Sequence, residues 1–181
     1  MSEFQFHTLV NTTGESKEIL EGVNKAYGFV PNLFAYMAEA PVTIKAYMQL
    51  NELLDETAFS KGQVQLALLA ISLENDCDFC ATAHHAMSTV SGSNAASIQA
   101  LVNGEDIDDA QDSVLVDTVR EVVRSRGWLA DGVLGRFLEV GFSQRHYLEL
   151  MLLVAIKTLS NYSNHLTKPE ANPELLAMIK P

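Results

Sequence analysis

Apolar residues recur along the chain mostly at intervals of three and four, and regular alternation of apolar and polar residues is nearly absent. Such intervals place the apolar side chains on one face of an α-helix, whereas alternation is typical of a strand. We therefore predict an all-α fold. The predicted helices cover residues 15–26, 31–39, 41–56, 61–74, 77–91, 93–102, 112–125, 130–140, 143–160 and 173–179.

Two polar segments mark helix ends in the first half of the chain. Ser60 and Gln63 have the spacing of a capping box, in which the serine caps the helix and the glutamine bonds back to its amide. Asn75 and Asp76 interrupt the apolar pattern, and residues of these types commonly cap a helix that follows them. The sequence therefore predicts a hairpin of two helices that turns at 75–76.

The chain contains a short internal repeat. Phe59-Ser60 recurs as Phe142-Ser143, and after a one-residue slip the leucine-rich segment 64–69 aligns with 148–153. We predict one domain over residues 1–181, built as a pseudo-repeat. Its parts are an N-terminal arm (1–14), a first half (15–103), a second half (104–168) and a tail (169–181).

The repeat places two asparagines opposite the two cysteines. Continuing the same register, Cys77 aligns with Asn161 and Cys80 aligns with Asn164. Both halves then have the order Phe-Ser, buried helix, polar break and a second helix. The second half is expected to be a copy without thiols.

Charge and hydropathy exclude several classes of partner. Lys and Arg number 12 and Asp and Glu 23, so the net charge is −11, which disfavours nucleic acids and anionic membrane surfaces. No apolar run approaches the roughly 20 residues that a bilayer requires. The first residues carry Glu3 and no positive charge of the kind found in a signal peptide. We therefore expect a cytoplasmic protein, in which structural disulfides are rare.

The only two cysteines, Cys77 and Cys80, lie three residues apart at the start of a predicted helix. Unpaired amide groups and the helix dipole favour an anion there and lower the pKa of a thiol, whereas the charges of Asp76 and Asp78 oppose a thiolate. Peroxide reduction and disulfide exchange both require a thiolate. Two other interpretations are a pair of small buried residues and a zinc site.

His84 and Gln65 are the candidate partners of this pair. His84 follows Cys80 by four residues, so both project from one helix face and the imidazole can act as a general base for the thiol. Gln65 and His84 lie at similar distances from the turn of the hairpin, so Gln65 can orient His84. An amide side chain cannot shuttle a proton.

These residues resemble a known family. Cys77-x-x-Cys80-x-x-x-His84, within the segment 59–87, is similar to the redox motif of AhpD-like alkylhydroperoxidases of the carboxymuconolactone decarboxylase superfamily. The flanking segment 28–34 and Asn161-x-x-Asn164-His165 resemble its peroxidase-related branch, and the resemblance covers about residues 28–166. It implies an AhpD-like helical bundle and a thiol-dependent hydroperoxidase.

The resemblance also implies roles for individual residues. Cys80 matches the peroxidatic cysteine, Cys77 the resolving cysteine and His84 the base of a proton relay. The family relay includes a glutamate twelve residues before the first cysteine, where this chain has Gln65. In the repeat, Glu149 stands twelve residues before Asn161. We therefore hypothesise that pseudo-twofold packing brings Glu149 to the relay as the missing carboxylate.

Partners and alternatives follow from the same resemblance. It implies a small hydroperoxide as substrate, a dithiol of the lipoyl or thioredoxin type as reductant, no metal or other cofactor, and a homo-oligomer, trimeric or hexameric. The neutral side chain of Gln65 leaves open a redox sensor that uses the same cysteines to switch an interface. A disulfide reductase and the decarboxylase chemistry of the superfamily are further alternatives.

Overall fold

The computed structural model describes residues 3–179, and this part of the chain contains helices and no strand. The all-α prediction is therefore confirmed. The α-helices in chain order are α1 Gly14–Tyr27, α2 Asn32–Met37, α3 Pro41–Glu52, α4 Lys61–Glu74, α5 Asp78–Ser88, α6 Ala95–Asn103, α7 Ala110–Ser125, α8 Val133–Glu139, α9 Gln144–Thr167 and α10 Pro173–Met178. No helix in residues 3–179 combines the length and the apolar character needed to span a membrane.

Helix α4 lies at the centre of the molecule and packs against α5, α7 and α9. Helix α4 carries apolar side chains on nearly all of its faces, so neighbouring helices can bury it on every side. One apolar cluster joins α4 to α6, α7, α8 and the beginning of α9. A second cluster joins α1, α2, α3 and α10 to α5, and it contains both cysteines. The thiols therefore lie inside the protein, between the α4–α5 hairpin and the N-terminal helices.

The predicted bounds agree with the structure at α4, whereas α6 begins two residues later and α7 two residues earlier than predicted, after the caps Asn94 and Asp109. Helix α4 has the predicted bounds, and its first turn contains the expected capping box: Gln63 N–H donates to Ser60 Oγ at 3.2 Å and Ser60 N–H donates to Gln63 Oε1 at 3.0 Å. The segment 41–56 is shorter than predicted as an α-helix, because α3 ends at Glu52 and a single 3-10 turn, Leu53–Glu56, follows.

Two predictions at the polar segments are wrong. Neither Asn75 nor Asp76 caps α5: Cys77 occupies the N-cap position, and Asp76 has a left-handed backbone with φ 52°. The polar break expected at Asn161 is also absent, because α9 continues unbroken to Thr167. Its serine and threonine hydroxyls donate to carbonyls one turn back in the same helix, as Ser160 Oγ does to the Ile156 carbonyl at 3.1 Å. These polar side chains are thus compatible with an intact helix.

Candidate functional site

The two cysteines lie at the turn of the α4–α5 hairpin. After α4 ends at Glu74, the left-handed residue Asp76 reverses the chain, and the Cys77 amide donates to the Ser72 carbonyl at 2.9 Å. Cys77 is then the N-cap of α5, and Cys80 lies in its first turn. Both are free thiols, with 3% and 2% of their surface exposed. The hairpin therefore presents both sulfur atoms to the interior, at a helix N-terminus.

A buried polar face of α9 meets these sulfur atoms. Its four members, Lys157, Ser160, Asn161 and Asn164, follow the helical spacing of three, one and three residues, and each is at most 4% exposed. Asn164 Nδ2 donates to Cys80 Sγ at 3.1 Å and lies 3.7 Å from Cys77 Sγ. Cys80 Sγ lies 4.0 Å from Ser160 Oγ. The thiols thus have polar neighbours although they are shielded from solvent.

The sequence patterns did not indicate this buried face of α9. The repeat aligned Asn161 and Asn164 with the cysteines as a polar break, and neither Lys157 nor Ser160 was a candidate residue. The available signal was that these polar residues continue the same helical stripe as the buried Leu150 and Leu153. Polar residues on the core-facing stripe of a helix indicate partners inside the fold.

Two amide atoms of this face have no hydrogen-bond partner among residues 3–179. They are Asn161 Nδ2, a donor, and Asn164 Oδ1, an acceptor, and both are buried. The other half of the Asn161 amide is occupied, because its Oδ1 accepts from Asn75 Nδ2 at 2.9 Å. Buried polar atoms are nearly always paired, so an unpaired donor and acceptor beside two thiols provide hydrogen-bonding capacity for a small polar ligand.

His84 is hydrogen-bonded on both sides of its ring. Its Nδ1 lies 2.9 Å from Gln65 Oε1, so the contact expected across the hairpin is present. Its Nε2 lies 2.8 Å from Lys157 Nζ, a contact that the sequence did not suggest. Both ring nitrogens are therefore engaged by groups other than the Cys80 thiol, in contrast to the direct thiol contact expected from the four-residue spacing.

The two thiols have opposite pKa shifts. The pKa of Cys80 lies well below its ordinary value because the Cys77 thiol donates to it and because the positive charge of Lys157 is nearby, and these effects outweigh burial. The pKa of Cys77 is raised by its hydrogen bond to Cys80, by burial and by the charge of the Cys80 thiolate. These contacts favour loss of a proton from Cys80 over loss of a proton from Cys77.

The two aspartates that were expected to disfavour a thiolate, because they flank Cys77 in the sequence, lie outside the site. Asp76 and Asp78 are both exposed, where water and salt screen their charges.

The pKa of His84 is lowered, first by burial and second by the charge of Lys157. Its imidazole is therefore neutral near pH 7.

Glu149, the hypothesised relay carboxylate, has other partners. Its Oε2 accepts from the Ala58 amide at 2.7 Å and its Oε1 accepts from Arg145 Nε at 2.7 Å. These contacts lower the pKa of Glu149 despite some desolvation. The carboxylate thus joins the first turn of α9 to the segment before α4, whereas the ring nitrogens of His84 contact Gln65 and Lys157.

A cleft beside α3 leads toward the site. It consists of two adjoining cavities of about 570 and 310 Å³ that share Tyr27, Asn51 and Asp55 in their walls. The larger cavity reaches Gln65, the hydrogen-bond partner of His84. The smaller reaches Tyr47, whose pKa is raised by burial and by the charge of the Cys80 thiolate. In residues 3–179, no three His, Cys, Asp or Glu side chains form a group that could hold a metal ion.

Solved structures with the same architecture cover nearly the whole chain. One is described as the alkylhydroperoxidase AhpD core, an uncharacterised peroxidase-related protein from Ralstonia eutropha JMP134; its TM-score is 0.84 at 21% identity, over 98% of this chain and 95% of that one. Another, an uncharacterised peroxidase-related protein from Silicibacter sp. TM1040, has a TM-score of 0.77 at 21% identity, over 97% of each chain. The chain has the AhpD-like fold.

The AhpD-like fold is shared with a protein of a different stated activity. The debrominase Bmp8 superposes with a TM-score of 0.73 at 16% identity, over 91% of this chain and 89% of that one. A cysteine-to-alanine variant of it in complex with 2,3,4-tribromopyrrole gives a TM-score of 0.74, over 96% of each chain. No protein-family model and no curated protein sequence matches this chain. At these identities the likeness establishes the fold, and function depends on the site.

Proposed function

We propose that the protein is a thiol-dependent hydroperoxidase that reduces a small alkyl hydroperoxide or hydrogen peroxide through Cys80 and Cys77. The observation that carries this proposal is the unequal state of the two buried thiols. Asn164 Nδ2 lies 3.1 Å from Cys80 Sγ, and the pKa of Cys80 is lowered while that of Cys77 is raised. A nucleophilic thiolate beside a protonated second thiol is what a dithiol peroxidase requires.

The reaction assigns one step to each thiol. The Cys80 thiolate attacks one oxygen of the peroxide, the O–O bond breaks, and the leaving oxygen takes a proton to give an alcohol or water, so that Cys80 becomes a sulfenic acid. The Cys77 thiol then condenses with the sulfenic acid, which forms the disulfide and releases water. An external dithiol of the lipoyl or thioredoxin type reduces this disulfide by exchange. The cycle oxidises one dithiol for each peroxide reduced.

The polar atoms around the sulfurs suit this substrate class. A hydroperoxide has one O–H donor and oxygen acceptors, and the unpaired Asn164 Oδ1 and Asn161 Nδ2 are an acceptor and a donor. The cleft walls at Tyr27 and Tyr47 can accommodate the alkyl group. Peroxidase-related names among the structural neighbours agree with this chemistry.

Steady-state turnover tests the proposal. We expect cumene hydroperoxide to be reduced with dihydrolipoamide or dithiothreitol, and we expect Cys80→Ser to abolish turnover. With no dithiol added, Cys77→Ser is expected to reduce one equivalent of peroxide and to stop at a sulfenic acid on Cys80. Ser163→Ala is the matched control, because Ser163 Oγ donates to the Leu159 carbonyl of its own helix. Oxidation of wild type by one equivalent of peroxide without turnover would instead indicate the redox sensor.

Two further proposals concern the setting of the enzyme. A dithiol that must be reduced in each cycle requires a reducing compartment, so we propose that the protein is cytoplasmic.

We also propose a homo-oligomer, a trimer or hexamer, assembled on the outer face of α9, where Leu148, Tyr162 and Leu166 are more than half exposed. Sedimentation equilibrium that gives only the 19.9 kDa monomer would contradict this assembly.

A further inference from the structure

Lys157 is a fully buried lysine on the same face of α9 as Ser160 and Asn164, whose polar atoms lie 4.0 and 3.1 Å from Cys80 Sγ. Its exposed fraction is 0%, and it occupies the position on α9 where the buried face changes from leucine and isoleucine to polar residues. Moving an ammonium group out of water costs several kcal/mol unless an anion or strong acceptors compensate. The environment of Lys157 must therefore contain a group that offsets its charge.

No carboxylate supplies this compensation. Among the described residues, no Asp or Glu oxygen lies within 4.0 Å of Lys157 Nζ, whose hydrogen-bond partner is His84 Nε2 at 2.8 Å. His84 is neutral, and Gln65 beyond it carries no charge. The titratable groups of α5 and α3 that interact with Cys80 are Cys77 and Tyr47, and each retains its proton because its pKa is raised. Cys80 is thus the group in this cluster that can carry the negative charge.

The hydrogen bonds also show why His84 is a poor base for Cys80. An ammonium group only donates, so Nε2 of His84 must be the acceptor in its contact with Lys157. The single proton of the neutral ring is then on Nδ1, which donates to Gln65 Oε1. The lone pair that would take the thiol proton is already used by Lys157. A thiolate in this site therefore has to be favoured by charge.

We propose that Lys157 is the counter-ion that keeps Cys80 as a thiolate, so that this site functions with a neutral residue at position 65. Lys157 is a positioning residue in this scheme, and His84 and Gln65 hold its ammonium group in place. The inference deepens the proposed function, on which it rests for the role of Cys80 as nucleophile, and it predicts a thiolate that can be measured without turnover.

The sign of the effect of position 65 distinguishes this scheme from a carboxylate relay. In a relay, a glutamate at position 65 would assist deprotonation and increase activity. Here a glutamate would bond to His84 and place a negative charge one hydrogen-bonded group away from Lys157, which would offset the charge that Cys80 uses. Gln65→Glu is nearly isosteric, and Gln65 borders a cleft, so the variant has room and solvent to accommodate the charge.

The experiment measures alkylation of Cys80 by iodoacetamide against pH, with every protein in the Cys77→Ser background so that one thiol reports. We expect Lys157→Met to raise the pKa of Cys80 by about 1–3, and to slow alkylation about 10- to 1,000-fold at a pH below both values. Lys157→Arg keeps the charge and is expected to stay closer to the parent. Gln65→Glu is expected to raise the pKa of Cys80 in the same direction as Lys157→Met. Far-ultraviolet circular dichroism and urea unfolding check that each variant is folded.

The outcomes separate this inference from the proposed function. An unchanged pH dependence of Cys80 alkylation in folded Lys157→Met, or faster alkylation in Gln65→Glu, would contradict the role of Lys157 as counter-ion. If Cys80 alkylation depends on Lys157 but the protein does not turn over peroxide, the counter-ion role is supported and the hydroperoxidase function is wrong. Increased peroxide turnover in Gln65→Glu would indicate that the site uses a carboxylate relay and would overturn the inference.

Discussion

The two segments that begin with Phe-Ser differ in how they end. Both start with a capping box, with Gln63 as the third helical residue of α4 and His146 as that of α9, and the rings of Phe59 and Phe142 lie 5.7 Å apart. Helix α4 stops at Glu74 and the chain reverses into α5, whereas α9 continues to Thr167. A shared beginning thus leads to two different structures, and a common origin of the two halves stays a prediction.

The site depends on this difference. The interruption after α4 creates a helix N-terminus, where the amides and dipole favour a thiolate at Cys80. The uninterrupted α9 cannot provide such an N-terminus, but it carries a straight polar stripe past the thiols, from Lys157 to Asn164. In the proposed reaction, one segment provides the nucleophile and the other provides its hydrogen-bond donors and its cation. Substitutions in each segment therefore test different parts of the site.

Among substitutions that leave the thiols and Lys157 in place, the largest expected effect comes from the hydrogen-bond donor on α9. Asn164→Leu keeps the side-chain size and removes the N–H that lies 3.1 Å from Cys80 Sγ. A hydrogen bond to a charged group contributes about 1.5–3 kcal/mol, which corresponds to about a 10- to 150-fold loss of thiolate at a pH below the pKa of Cys80. Alkylation rates against pH measure the loss. Ser163→Ala, on another face of α9, is the control, and an equal effect of both variants would exclude a specific role for Asn164.

A second prediction concerns the first turn of each segment. Gly62 in α4 corresponds to Arg145 in α9, and a Cβ on Gly62 would lie 2.7 Å from the Gly92 carbonyl oxygen and 2.9 Å from Ser93 backbone atoms. Gly62→Ala is therefore expected to lower the free energy of unfolding by about 1–3 kcal/mol, since the backbone must move. Urea denaturation measures the change. Gly22→Ala in α1 is the control: it meets nothing within 4 Å and is expected to stabilise by up to about 1 kcal/mol.

The third prediction uses the pH dependence of stability. His84 has a pKa below 6.5 in the folded state, so unfolding takes up a proton as the pH falls below 6.5. Its stabilising contribution is complete above pH 6.5 and is lost as the pH falls toward the folded pKa, by about 1–2 kcal/mol between pH 7 and 5. Urea unfolding at several pH values should show a smaller loss in His84→Gln than in wild type. Identical pH profiles would mean that the ring is not held neutral.

Short-range patterns in the sequence were sufficient for the order of the α-helices and for the α4–α5 hairpin. The capping residues Ser60 and Gln63 fixed the start of α4, and the register across the turn placed Gln65 beside His84 at the observed 2.9 Å. Both features depend on residues within about 20 positions of each other, for which helix geometry gives distances directly. The fold class followed from the spacing of apolar residues alone.

The partners of the thiols could not be derived in the same way. Lys157 is 73 residues from His84 and Asn164 is 84 residues from Cys80, and their contacts depend on how α9 crosses the hairpin. Position 161 was interpreted as a helix break because the repeat aligned it with Cys77 after the turn of the hairpin, but α9 packs against α3, α4 and α5 and continues through this position. A buried lysine also goes against the usual distribution of charged residues, so composition gave no reason to expect it.

The smallest expected effect concerns Glu149 and tests the symmetry of the two halves directly. Its carboxylate is held by the Ala58 amide and Arg145, so Glu149→Gln should leave peroxide turnover and Cys80 alkylation unchanged within error. An amide oxygen can still accept from Ala58, and the contact with Arg145 is largely exposed, so the loss of stability should be below about 1 kcal/mol. A specific loss of peroxidase activity in a folded Glu149→Gln protein would mean that a carboxylate serves the relay after all. The counter-ion assigned to Lys157 would then be unnecessary, because a base from the second half would generate the thiolate.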